Sequence, residues 1–106
     1  MSITGSERIL SLTASHLRGS TVRFGNTITD FDQTTLIDPD THEIKIYDSR
    51  SVLKDTITNP TRLSLGVFQF YYTIPEDGEP GTWRMEWKVT KNTLPSRGRF
   101  EFPVAA

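Results

Sequence analysis

The residues whose types and spacing could do chemistry are paired carboxylates, two imidazoles and a group of cations. Asp30/Asp32 and Asp38/Asp40 are carboxylates two residues apart. Such pairs serve acid–base catalysis where their surroundings shift one pKa, and serve hard cations where backbone oxygens join them. Both pairs fall in segments that read as turns, where an Asp side chain accepts backbone amides. The turn role is the expectation, with a calcium site as its alternative. No EF-hand register follows, because the glycine and terminal glutamate are missing at the required spacing.

His16 and His42 are the two histidines, and neither lies near a nucleophile-elbow pattern. His42 opens a strand and is expected at the surface. With no cysteine, thiol nucleophiles, Cys-zinc sites and disulfides are excluded. The GEPG segment at 78–81 reads as a tight turn before a strand, not a phosphate loop. Arg97 and Arg99, with Lys88, Lys91 and Arg84, form a modestly basic end strand. Arginines suit carboxylate or phosphate contacts at an interface, while charge also protects a sheet edge. No catalytic residue, cofactor or metal site is assigned. The expectation is a protein that is not an enzyme.

Twelve Lys and Arg balance thirteen Asp and Glu, a net charge of −1. That excludes the broad basic surface of a nucleic-acid binder. The 106 residues suit one domain with one core. The first residues, MSITGSER, lack the basic start and apolar run of a secretory signal. No stretch approaches the ~20 apolar residues of a membrane span. Synthesis in the cytosol, with no standard export, is the expectation.

The elements that would position these groups are strands. Apolar residues recur with period two: Val22, Phe24 and Ile28; Ile44 and Ile46; Phe68, Phe70, Tyr72 and Ile74; Trp83, Met85, Trp87 and Val89; Phe100, Phe102 and Val104. Strict alternation gives one apolar and one polar sheet face. Turn residues separate the runs, and the spacing predicts about seven strands: 20–29, 42–48, 51–57, 61–65, 67–74, 82–90 and 98–104. Ser96-Arg97-Gly98 reads as a turn before the last. The predicted core is Val22, Phe24, Ile28, Ile44, Ile46, Phe68, Phe70, Tyr72, Trp83, Met85, Trp87, Val89, Phe100 and Phe102. Trp83 and Trp87 share a strand face and are expected to fill the space between two sheets. Residues 1–18 fit an N-terminal arm or first strand, and Leu10, Ala14 and Leu17 also fit a short helix.

Apolar groups outside the core are the candidate partner contacts. Tyr47, Tyr71 and Phe31 fall on the outward face or in a loop, where apolar surface is often contact surface. Leu10 and Leu12 on the arm, and Arg97 and Arg99 on the end strand, complete that set.

Taken together, GSTVRF at 19–24, DFD at 30–32, IDPD at 37–40, IKIYDS at 44–49, LGVFQFYYTIP at 65–75, PGTWRMEW at 80–87 and GRFEF at 98–102 resemble bacterial and viral immunoglobulin-like domains of the macroglobulin type. The resemblance covers about residues 17–104. The usual D-P-x-G turn is Asp48-Ser49-Arg50-Ser51 here, and Phe68 and Phe70 stand at tyrosine positions. The macroglobulin thioester motif is absent, so no covalent trapping is implied. The resemblance implies an all-β, immunoglobulin-like sandwich of about seven antiparallel strands, residues 19–106, preceded by the arm. A short version of this kind is similar to small proteins of the structural gene clusters of tailed phages. That likeness implies a non-enzymatic minor virion component (decoration, neck or tail), made in the host cytoplasm. It would contact capsid, neck or tail proteins and further copies of itself, without nucleic acid or membrane. The alternative is a binding module that recognises carbohydrate or a cell-surface partner through loops 30–41 and 75–81, with Phe31 as a sugar-contacting ring.

Overall fold

Period-two alternation makes strands, and the turn residues between the runs end them. The computed structural model describes residues 2–9, 16–30 and 34–105, with side chains from residue 17 onward. These form β1 (Ser2–Ile9), β2 (His16–Leu17), β3 (Thr21–Thr29), β4 (Thr41–Tyr47), β5 (Leu53–Ile57), β6 (Thr61–Ser64), β7 (Val67–Thr73), β8 (Gly81–Lys91) and β9 (Leu94–Ala105). All seven strands expected from the alternation are present, together with two N-terminal ones.

The strands form two facing sheets, ordered β1-β3-β7-β6 and β2-β9-β8-β4-β5. Neighbours pair antiparallel, except that β2 runs parallel to β9. Immunoglobulin-type sandwiches place strands A, B, E and D in one sheet and C, F and G in the other, with an added C′ in some. Here β1, β3, β7 and β6 follow the A-B-E-D order, and β9, β8, β4 and β5 follow G-F-C-C′. The N-terminal segment serves both sheets: β1 pairs along its length with β3, and β2 lies beside β9. The fold is therefore an all-β immunoglobulin-like sandwich. Leu10 and Leu12 lie outside the described residues.

Alternation sends one row of each central strand into the space between the sheets. The buried apolar set contains every expected core residue except Phe100, which is partly buried against it, and adds Ile74 and Val104. Burying one such side chain contributes about 1.5–3 kcal/mol. Aromatic rings link the sheets. Trp83 meets Phe102 at 6.1 Å between ring centres, Phe102 meets Phe24 at 5.1 Å, Phe24 meets Phe70 at 5.4 Å, and Phe70 meets Trp87 at 5.5 Å. At the start of β8 the Trp83 indole donates to the Glu79 carbonyl at 2.6 Å, which ties the preceding loop to the core. Both tryptophans are fully buried, as expected of core residues.

The last strand begins earlier than the turn signal suggested. Ser96-Arg97-Gly98 is strand, and the chain reverses at Asn92-Thr93, between paired Lys91 and Leu94. Both turn residues have positive φ, 51° and 65°, which suits a two-residue hairpin of these long twisted strands. Gly98 is opposite Trp87 within the ladder and marks no turn.

Candidate functional site

Two surfaces of this sandwich carry unsatisfied chemistry. The first is one end of the molecule, where β3 leaves, β4 enters and β6 turns into β7. Asp38 organises it. Its carboxylate accepts the Gly66 amide at 2.9 Å and the Arg62 guanidinium at 3.1 Å. These bonds hold the carboxyl below the ordinary aspartate value, the Gly66 amide acting most strongly and Arg62 next. Asp40 reaches the other way: it accepts the Asn92 amide at 2.8 Å and pairs with Lys91, and its pKa is lowered mainly by that amide. The 38–40 segment thus staples the β6–β7 turn and the β8–β9 turn to one loop. Both carboxylates accept backbone amides, as expected, but the amides lie 28 and 52 residues away, so they join separate loops and do not cap their own turn. Among the described residues no three His, Asp or Glu side chains converge as metal ligands. Of the other pair, Asp32 lies outside the described residues.

The staples hold apolar side chains toward solvent. Gly66, at φ +72°, packs so closely that an added Cβ would lie 2.7 Å from the Ile28 carbonyl and 3.1 Å from that of Ile37. Leu65 and Leu36, the residues just before Gly66 and Ile37, are therefore on adjoining backbones. Leu65 is 49% exposed, Leu63 on β6 is 54% and Leu36 is 37%. Leu94, at the neighbouring β8–β9 turn, is also exposed. Leu17, Val52 and Leu53 are exposed at the opposite end, and Tyr71 stands on the outer face of β7.

The second surface is the outer face of the five-stranded sheet. Register arranges three rows across β4, β8 and β9: Glu43-Lys88-Arg97, Lys45-Glu86-Arg99 and Tyr47-Arg84-Glu101. The Arg84 guanidinium lies over the Tyr47 ring at 4.2 Å. A shallow trough of about 210 Å³ opens here, lined by Tyr47, Lys88, Arg97 and Arg99 and also by Glu43 and Glu86. Of the residues singled out as partner contacts, the structure gathers Tyr47, Arg97 and Arg99 at this trough and leaves Tyr71 on the other sheet. Phe31, like Leu10 and Leu12, lies outside the described residues.

His42 corrects a sequence expectation. It is not a surface residue but half-buried, edge-on to Phe68 at 4.3 Å and near Trp87 at 6.1 Å. The Trp87 indole donates to His42 Nδ1 at 3.2 Å. An indole N–H only donates, so Nδ1 accepts and the neutral ring carries its proton on Nε2. Burial lowers its pKa, against an opposing pull from Asp38. Asp48 is a buried acid at the β4–β5 turn. Burial alone would raise its pKa, but the Val52 and Arg50 amides, each 2.9 Å away, and the charges of Lys54 and Arg50 outweigh that and lower it.

Sequence reasoning missed the leucine end. Residues 61–65 read only as a strand, and nothing local shows that β6 is an edge strand with Leu63 outside and Leu65 exposed just after it.

No protein-family model and no curated protein matches the chain. Among solved structures, the chain is similar to the crystal structure of BslA, described as a bacterial hydrophobin. The likeness has a TM-score of 0.57 at 12% identity and covers 98% of this chain and 100% of that one. At that identity the likeness supports the sandwich fold and nothing about activity.

Proposed function

We propose that the protein is a non-enzymatic structural module acting through protein–protein contacts, a minor component of a virion. The observation that carries the reading is the leucine end. Leu36, Leu63 and Leu65 are held outward by a carboxylate staple that fixes the backbone beneath them. Apolar side chains on a rigid turn suit a fitted protein surface, because little ordering is required on contact. The virion setting comes from the resemblance to small phage structural-cluster proteins. The test is immunodetection of the chain in purified particles, with Leu63→Asp/Leu65→Asp beside the wild type. The reading expects the wild type in particles and the folded variant excluded. Particles that lack the wild type would overturn the virion setting, and equal incorporation of the variant would overturn the leucine end as the contact.

The same leucines favour a second reading, adsorption to a non-protein apolar surface. The fold likeness to a protein described as a bacterial hydrophobin accords with it. Surface pressure at an air–water interface separates the two: a rise that the Leu63→Asp/Leu65→Asp variant loses supports adsorption, and no rise rejects it.

A further inference from the structure

The charges on the outer face of the five-stranded sheet do not cancel. Each glutamate of the three rows is held by a cation two residues away on its own strand: Glu43 by Lys45 at 3.6 Å, Glu86 by Arg84 at 3.8 Å, and Glu101 by Arg99 at 3.1 Å. Lys88 and Arg97 are left directly opposite each other. Neither has an ion-pair partner among the described residues. Like charges directly opposite on antiparallel strands are destabilising, so this pair favours an anion between them. The trough they line gives it room.

The same chain carries the complement. Pro75 to Gly78 is a tight turn, closed by the Gly78 amide donating to the Pro75 carbonyl at 3.0 Å. Its two central residues are Glu76 and Asp77, both exposed and without an ion-pair partner among the described residues. Two adjacent carboxylates on an exposed turn therefore match two facing cations in sign.

We infer that a second copy of this chain inserts its Glu76-Asp77 turn between Lys88 and Arg97. The contact joins different surfaces on the two copies, so repetition generates a ring or an open filament, not a closed two-fold dimer. It deepens the structural-component reading by naming one partner. It does not use the leucine end.

The test is light-scattering mass over a concentration series at low and high salt. The wild type should associate at low ionic strength and dissociate as salt rises, since screening shortens the reach of exposed charges to about 3 Å at 1 M. Lys88→Glu/Arg97→Glu and Glu76→Lys/Asp77→Lys should each weaken association by roughly two- to thirtyfold, the loss of two exposed ion pairs. The quadruple variant, with both reversals, should restore it. Lys88→Gln/Arg97→Gln replaces a reversal that fails to fold. A wild type that stays monomeric at low salt, single-side reversals that leave association unchanged, or a quadruple variant that stays monomeric would overturn the inference. Leu63→Asp/Leu65→Asp should leave this association intact; loss of it there would place the contact at the leucine end instead.

Discussion

Replacing Asn26 with leucine should stabilise the protein. Asn26 takes the inward position on β3 between Phe24 and Ile28 and is 3% exposed. Its cross-strand neighbours are Phe68 on β7 and Gly5 on β1, and the glycine contributes no side chain. Neither Oδ1 nor Nδ2 has a hydrogen-bond partner among the described residues. A buried polar group left unpaired costs about 1–3 kcal/mol. Leucine has the same number of side-chain heavy atoms and the same branching, so the cost of its slightly larger methyl groups stays below about 1.5 kcal/mol. The net expectation is a gain of about 1 kcal/mol, or roughly 4–8 °C in Tm for a domain of this size. Urea unfolding followed by the fluorescence of buried Trp83 and Trp87, with calorimetry beside it, reads the change. Asn26→Asp is the opposing control and should lose stability, because it places a carboxyl in the same unpaired site. A lower midpoint for Asn26→Leu would refute the reasoning, since it would mean that the amide is satisfied in the folded state.

Four further outcomes follow from particular positions. Gly66→Ala should destabilise by about 2 kcal/mol or more, because φ is +72° and the new Cβ would press on the Ile28 carbonyl; an unchanged midpoint in thermal unfolding would contradict it. Thr93→Gly should stabilise by roughly 0.5–1 kcal/mol, since a β-branched residue at φ 65° is strained in a turn that suits Asn-Gly; calorimetry decides. His42 has a folded pKa below its ordinary 6.5, so the unfolded chain takes the proton first and stability falls as pH drops below about 6.5. His42→Gln should remove that slope. The carboxylates of Asp38, Asp40 and Asp48, lowered from 3.8, contribute stability that is present above about pH 4 and lost below it, and this later loss should remain in the variant.

Much of the architecture was legible in the sequence because sheet structure writes itself as period two. Val22, Phe24 and Ile28, or Trp83, Met85, Trp87 and Val89, need no partner to show which side is apolar. Turn residues then mark where each run stops. The Ser96-Arg97-Gly98 segment shows the limit: its turn-forming residues sit inside a strand because β8 dictates the register, and the reversal falls on Asn92-Thr93. His42 shows another. At the opening of a strand it reads as a surface residue, but Phe68 from the opposite sheet and Trp87 beside it make that position half-buried.

The sequence by itself determined an all-β chain with an aromatic core, a turn-bound pair at Asp38 and Asp40, and an excess of arginine on the last strand. These are local properties, set by the side-chain period and by backbone preference. The tertiary structure alone decided which strands became edges and which residues met across the sheet. That turned Leu63 and Leu65 outward, set Asp38 against Gly66 and Arg62, and placed Lys88 opposite Arg97 with no ion pair to either among the described residues. Strand order and register depend on pairings between residues far apart in the chain, and no local pattern encodes them.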